Sequence, residues 1–433
     1  MAEQGGGAAG GPGGTGGPIT VEEHLAQVLA TVGPLAPVRL PLDQVRDLVL
    51  VEDQVAPLSL PRFTNSAMDG YAVRAADLGS PGEAAPVELR VAGEVGAGQA
   101  TTRVVPPGEV VKIMTGAPVP DGADAVVPYE WTDRGATTVR ITRAPAVGAH
   151  LRGAGEDVTE GDLLVAAGTR LGPRHLGLLA SCGIATVPVR PRPVVAVLST
   201  GTELRDPSTA LGDLPDDAIY DGNSYLLAAA VEAAGATALR LGLVADEPRA
   251  FLDVLARLND EGGVHAVITS GGVSQGDFDV VKAALRPLGT VWFGPVAMQP
   301  GKPQGFGHVD GLPIFTLPGN PVSAYISTEL FVRPALRTMM GLEPVSRPLV
   351  DATLTERVTS PPEKRQFLRG TVSVREDGLE VALSVSPVGG SGSHLVGDLA
   401  AADALIVVPE DVTVLEPGST VQVVRLTRPE EGL

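Results

Sequence analysis

A chain of 433 residues exceeds the roughly 250–300 that one hydrophobic core serves, so two to four domains are expected. Its 44% hydrophobic and 19% charged residues are ordinary for a globular protein, and a net charge of −19 argues against a general nucleic-acid or anionic-membrane surface. Any anionic ligand must therefore be met by local donors.

The single cysteine, Cys182, lies in an apolar setting and reads as a small buried residue, which excludes a disulfide framework and a cysteine zinc site. No apolar run reaches the length of a membrane helix, and the first residues have neither a basic n-region nor an apolar h-region. A cytoplasmic protein with no membrane and no nucleic-acid partner is the expectation.

Residues 1–17 are mostly glycine and are expected to be a disordered tail. Thr20 followed by Glu23 makes a capping-box pattern ahead of an apolar stripe at Val21, Leu25, Val28 and Leu29, which predicts a helix. A second short helix is expected over 41–51, from the spacing of Leu42, Val45, Leu48 and Val49. A third is expected over 172–184, with Leu176, Leu179 and Ala180 facing a core. Segments 18–55 and 160–191 then form a helical linking domain.

Residues 56–159 have the texture of an inserted small β domain, with short runs at 87–91, 109–113 and 125–128 broken by Gly and Pro. It opens on Pro61-Arg62-Phe63-Thr64-Asn65-Ser66-Ala67-Met68-Asp69-Gly70-Tyr71-Ala72-Val73. Asp69-Gly70 is a turn dipeptide able to supply a positive φ, yet Thr64, Asn65 and Ser66 are more polar company than a turn needs. The segment 112–117 should expose Thr115 after a strand, and 122–127 reads as a plain turn into one. Leu151-Arg152-Gly153-Ala154-Gly155-Glu156-Asp157 ends in two carboxylates.

Residues 192–341 alternate apolar strands (194–198, 238–244, 266–269, 313–316) with amphipathic helices (224–234, 248–258, 278–285, 322–339). That pattern predicts a doubly wound parallel sheet covered on both faces, with ligands beyond the carboxyl ends of its strands. Three of those ends are marked: Ser199-Thr200-Gly201-Thr202-Glu203, Ser270-Gly271-Gly272-Val273-Ser274-Gln275-Gly276-Asp277-Phe278-Asp279, and Leu317-Pro318-Gly319-Asn320-Pro321-Val322-Ser323. Gly-rich turns entering helices present backbone N–H groups and a positive dipole end to an oxyanion. Residues 342–433 return to short strands, read as a C-terminal β-barrel or sandwich. The fold class expected is multidomain α/β plus β.

Asp69, Thr115, Asp157, Glu203, Asp277, Asp279, Lys302 and Ser323 make a polar inventory suited to Mg²⁺ bridging a phosphate. Lys302 stands in a rigid Pro300-Gly301-Lys302-Pro303 frame, suited to neutralising an anion at close range. Six histidines without metal-ligand spacing argue against a zinc hydrolase, and no G-x-G-x-x-G, G-x-x-x-x-G-K-[ST] or G-x-S-x-G motif occurs. The residues alone reach a phosphate or oxyanion site with a divalent cation, and not the reaction.

The motifs together resemble one family, the molybdopterin molybdenumtransferases (bacterial MoeA proteins and the gephyrin E domain). They are Asn65-Ser66-Ala67-Met68-Asp69-Gly70-Tyr71-Ala72-Val73, Ile113-Met114-Thr115-Gly116-Ala117, and the segments 122–127, 152–157, 199–204 and 268–276 with Asp279. Pro300-Gly301-Lys302-Pro303, 317–323 and Phe367-Leu368-Arg369-Gly370 complete the set.

The resemblance implies insertion of molybdate into adenylylated molybdopterin with release of AMP, a Mg²⁺ requirement, and a homodimer with its active site near the subunit interface. Its α/β domain would be similar to the molybdopterin adenylyltransferases. Carried over by position, Asp69, Thr115, Asp157, Glu203, Asp279 and Lys302 take catalytic roles. Ser199, Thr200, Gly201, Ser270, Gly271, Gly272, Ser274, Pro318, Gly319, Asn320, Ser323, Arg369 and Ser393 take substrate-binding roles. Glu203 with Asp277 or Asp279 would hold the metal. The chain departs from many relatives in having Gln299 and no cation near Pro295, for which Arg365 or Arg369 could compensate. Two other classes stay open, a molybdopterin adenylyltransferase and a non-catalytic scaffold.

Overall fold

The computed structural model describes residues 17–98, 103–244, 247–273, 279–377 and 380–426. The chain falls into two compact units, Arg39–Val189 and a second built from Met1–Val38 with Arg190–Leu433. The tail reading for 1–17 and the positions Ser274 and Asp277 lie outside the described residues, Gly17 excepted.

Within Arg39–Val189, five strands form one sheet in the order Ala125–Pro128, Gly70–Val73, Glu109–Ile113, Val87–Val95, Thr138–Ile141. Period-two alternation sends Tyr71, Val73, Val110, Val127 and Ile141 to one core and Ala72, Val111, Ile113 and Val126 to another. Gly70 opens its strand without the positive φ expected of a turn residue. Glycine is required there for another reason: a Cβ would stand 1.9 Å from the carbonyl oxygen of Val127 on the neighbouring strand.

The rest of this unit corrects the helical reading of 41–51. Only a 3-10 turn, Leu42–Gln44, forms; Asp47 takes φ +68, and Val49 and Leu50 bridge to Arg170 and Val189. The apolar spacing is satisfied differently, by Val45, Leu48 and Leu50 packing on Leu171, Leu179, Val187 and Val189. The helix Pro173–Ser181 and the burial of Leu179 and Cys182 are as expected, but Ala180, expected to face the core, is exposed.

In the other unit, a six-stranded sheet runs Thr237–Val244, Val194–Thr200, Ala266–Ser270, Leu312–Leu317, Pro303–Val309, Val291–Pro295. The first four strands are parallel, and the last two join antiparallel at one edge. Ala196, Leu198, Val267 and Ile314 pack on Phe251, Leu255, Leu258 and Val281 of two helices. The alternate residues Val195, Val197, Ile268 and Phe315 are equally buried, and Asn223–Ala234 and Pro321–Ser327 contact the same strands. Five further strands close a barrel, in the order Arg365–Asp377, Glu380–Pro387, Leu349–Leu354, Thr420–Arg425, Ala404–Val408 and back to the first. A two-residue strand, Met298–Gln299, pairs in parallel with the barrel strand that begins at Arg365. Glu329, half-way along the 321–339 helical run, takes Arg347 Nε at 2.6 Å, while Arg347 also donates to the Arg425 carbonyl.

The first helix, Val21–Thr31, carries the expected capping box: Glu23 N–H donates to Thr20 Oγ1 at 3.1 Å and Thr20 N–H to Glu23 Oε2 at 2.8 Å. Its His24 is buried against Trp292 and Phe331, ring centroids 5.1 and 4.5 Å away, with Nδ1 unpartnered. Burial pushes its pKa down to about 4. The unfolded chain therefore binds a proton that the folded chain refuses. Stability is full above about pH 6.5 and falls as the pH drops toward 4. His24 should account for a loss on the order of 2–3 kcal/mol across that window in denaturant titrations, and His24→Leu should flatten the profile. Equal acid slopes for wild type and variant would contradict this.

Candidate functional site

One cleft stands out in the larger unit, with a volume of ≈ 460 Å³. It is lined by four segments: Met298 to Pro303, the start of the 321–339 helical run (Pro318, Asn320, Ser323), Lys364, and Ser391 to His394.

The 298–303 segment is fixed from both ends. Met298 and Gln299 are paired with Arg365 and Gln366, and Val296 N–H donates to the Lys302 carbonyl at 2.8 Å. Between them Gly301 has φ +102, and a Cβ would stand 2.9 Å from Met298 Cε and 3.0 Å from Ser327 Oγ. Buried Gln304 ties the turn down, its Nε2 donating to the Gly301 carbonyl and to Ser327 Oγ, both at 2.6 Å. The frame leaves the Lys302 side chain exposed at the cleft.

The opposite wall is joined to the helix start. Asn320 Nδ2 donates to Ser393 Oγ at 2.9 Å, and Val322 N–H to the Ser393 carbonyl at 3.1 Å. Arg369 does not line the cleft. It is buried (3% exposed) and donates to the carbonyls of Gly390 and Gly392, with Asp398 at 3.8 Å. Burial lowers its pKa, against the opposing pull of Asp398. Arg365 is committed elsewhere, to Glu22 and to Glu410 at 2.9 Å. Neither arginine supplies the compensating cation; the second lysine on the cleft, Lys364, does stand there. Pro295 pairs with Pro303 within the sheet, whereas Gln299 faces the cleft.

The strand ends of the parallel sheet converge as expected. Ser199 Oγ donates to Asp221 Oδ1 at 3.0 Å, and the same oxygen accepts Ser224 N–H. Asn223 Nδ2 donates to Ser270 Oγ at 2.8 Å and to the Gly319 carbonyl at 2.6 Å; Gly271 N–H donates to the Leu317 carbonyl. A Cβ on Gly271 would touch the Thr200 carbonyl oxygen at 3.0 Å. Of these strand-end residues Ser199, Thr200, Ser270 and Pro318 are buried, and Gly201, Gly271, Gly272, Gly319 and Asn320 are partly or fully exposed. Glu203 is exposed beside Gly201, and Asp279 precedes the helix Val280–Leu285 with a buried, unpartnered Oδ2.

In the Arg39–Val189 unit, Asp69 and Thr115 meet directly. Thr115 N–H and Oγ1 both donate to Asp69 Oδ1, at 2.7 and 2.8 Å. These bonds, the backbone one first, hold the Asp69 carboxyl below its usual range. Ser66 N–H donates to the Ala117 carbonyl and Gly116 N–H to the Ser66 carbonyl, which locks the two loops, and Asn65–Ser66 pairs with Leu151–Arg152. Asp157 is exposed on the loop that follows, its N–H bonded to the Leu60 carbonyl.

Sequence reading missed Asp221, Asn223, Lys364, Ser391 and His394. Asp221-Gly222-Asn223-Ser224 ahead of an apolar run is a helix-start signature that could have found the first two. Lys364 has no local signal, because its place depends on a strand pairing 66 positions away at Met298.

Family models described as the MoeA N-terminal region (domain I and II), a probable molybdopterin binding domain and the MoeA C-terminal region (domain IV) match residues 19–183, 196–338 and 351–426. Molybdopterin molybdenumtransferase 2 of Mycobacterium tuberculosis is 44% identical over 414 residues, 94% of this chain and 100% of that protein. The molybdopterin molybdenumtransferase of Bacillus subtilis is 37% identical over 389 residues, 88% of each chain. A crystal structure of the molybdopterin biosynthesis MoeA protein from Pyrococcus horikosii matches with a TM-score of 0.76 at 32% identity, covering 95% of this chain and 100% of that one. With its three family regions in order over a fold shared along almost its whole length, this chain belongs to the MoeA family of molybdopterin molybdenumtransferases.

Proposed function

We propose that this protein is a transferase that inserts molybdate into adenylylated molybdopterin with release of AMP, giving the molybdenum cofactor. The observation that carries the reading, beside family membership, is the cleft at Lys302. It offers two lysines, hydroxyls and amides to an oxyanion and, among the described residues, no carboxylate to repel one. Molybdate is the substrate docked there, near Lys302 and Ser323, with Asn320 and Ser393 as neutral hydrogen-bonding partners. The adenylate and its phosphates take the loops after the parallel strands (Ser199 to Gly201, Ser270 to Gly272, Pro318 to Asn320). Arg369, from beneath, holds the 390–392 carbonyls and so the position of Ser393. Asp69 with Thr115, and Asp157, are assigned to substrate contacts of the Arg39–Val189 unit. The two dithiolene sulfurs give up their protons and bind molybdenum as oxo oxygen leaves as water, and this is coupled to attack of water on the phosphoanhydride, with AMP as the leaving group. In this reading the protein works in the cytoplasm as a homodimer whose active site lies near the subunit interface.

A Mg²⁺ ion fits the residues present. Among the described residues no three His, Cys, Asp or Glu side chains are grouped to hold a metal ion by themselves. Mg²⁺ does not need such a cage, since it keeps several waters and takes one or two carboxylates with substrate phosphates. The unpartnered, buried Asp279 Oδ2 is a donor of that kind, and Glu203 is a second carboxylate beside the phosphate loops. When bound, the ion would neutralise charge on the anhydride phosphates.

Purified protein given adenylylated molybdopterin and molybdate should release AMP and form cofactor. ATP consumption instead would indicate an adenylyltransferase, and neither activity a scaffold. Asp69→Ala and Glu203→Ala should each lower the rate on the order of 10²–10³-fold, as loss of one positioned charge at a reacting centre does. Wild-type AMP release by both variants would remove these two from the site. Chelation by EDTA should abolish turnover and added Mg²⁺ restore it; undiminished turnover in EDTA would exclude the ion.

A further inference from the structure

We infer that Lys364 is the second cation of the oxyanion cleft and sets its affinity for molybdate together with Lys302; this rests on the assignment of that cleft to molybdate. Among the described residues, the two lysines are the Lys or Arg side chains that line it, and no Asp or Glu does. In a chain of net charge −19, an anion is drawn to this cleft by what lines it and not by the protein's field.

Lys364 is placed there by backbone bonds independent of its own side chain. Glu363, at φ +63, donates its N–H to the Glu410 carbonyl at 2.9 Å, and Arg365 N–H donates to the Ala297 carbonyl at 2.9 Å. Lys364 sits between those two anchors, directly before the register pair Met298 and Arg365. It is half-buried and lines the cleft, as a long side chain with an apolar stem and a charged tip can. The first two arginines of the strand that follows are spent. Arg365 is shared between Glu22 and Glu410, and Arg369 is buried under the 390–392 carbonyls. Two lysines on separate segments also suit a compact tetrahedral dianion. Each ammonium is a point charge with rotatable donors, without the planar fork that selects carboxylates.

The test is saturation kinetics with molybdate as the varied substrate. Lys364→Met keeps an apolar stem and removes the charge. It should raise the molybdate KM by about tenfold to thirtyfold, the worth of one hydrogen bond to a charged group, and leave the KM for adenylylated molybdopterin unchanged. Lys364→Arg should recover most of the affinity, and Lys364→Met should flatten the salt dependence of kcat/KM for molybdate. A molybdate KM unaltered in Lys364→Met, while Lys302→Met raises it, would overturn the role of Lys364 and leave the cleft assignment standing. If neither lysine matters, the cleft is not the molybdate site and both ideas fall.

Discussion

The site depends on a very short piece of parallel ladder, Met298–Gln299 against the start of the barrel strand Arg365–Asp377. The Pro300-Gly301-Lys302 turn leaves this ladder on one side, and Glu363-Lys364 enters it on the other. Each backbone bond contributes only about 1 kcal/mol net. The junction is reinforced by Arg365 held between Glu22 and Glu410, by Ile19 N–H donating to the Pro295 carbonyl and Ala297 N–H to the Ile19 carbonyl, and by Gln304 bonded to the turn. Sheet, first helix and barrel therefore fix one strand pair between them. A cleft framed in this way has a rigid backbone and adjustable lysine side chains, which suits capture of an ion that must later leave on another molecule.

The opposite wall follows the same logic with neutral groups. Pro321 at the helix start has no N–H to give, and Val322 N–H is already bonded to the Ser393 carbonyl. The helix end therefore serves partly to hold the barrel loop. Arg369 acts from the other side of that loop through the Gly390 and Gly392 carbonyls. A buried guanidinium that holds carbonyls keeps its charge off the cleft surface, so the cleft's positive potential comes from lysines on other segments.

How much of this was legible in the sequence follows from what is local. The capping box at Thr20 and Glu23 is a four-residue signal and was read correctly. The strand-end loops were legible because apolar strands alternating with helices leave their Gly-rich connections at one edge of the sheet. The helix expected over 41–51 failed because Val45 and Leu48 serve a core completed by residues 165–189, and Asp47 at positive φ ends any helical run. Gly70 looked like a turn glycine; its constraint is the Val127 carbonyl 57 residues on. The antiparallel edge strands, Pro303–Val309 and Val291–Pro295, carry aromatic and glycine residues whose pairing no short window reveals. The site itself divides the same way. Lys302 was found because Pro and Gly frame it in sequence, whereas Lys364 is framed only in space.

That difference bears on how this chain balances charge. The sequence lacks a lysine at Gln299, and the strand arginines looked like the natural replacements. Both arginines turn out to be structural, because a planar, multi-donor guanidinium is well suited to satisfying several oxygens in a buried setting. Lys364 and Lys302, by contrast, line an open cleft on which, among the described residues, no carboxylate stands. The carboxylates assigned to the phosphate side, Glu203 and Asp279, belong to strand-end loops, and neither lines that cleft. Separating the two kinds of charge keeps an oxyanion pocket free of the negative groups that a cation bridging phosphates would need. A protein carrying 19 excess negative charges can hold an anion only where that separation is kept.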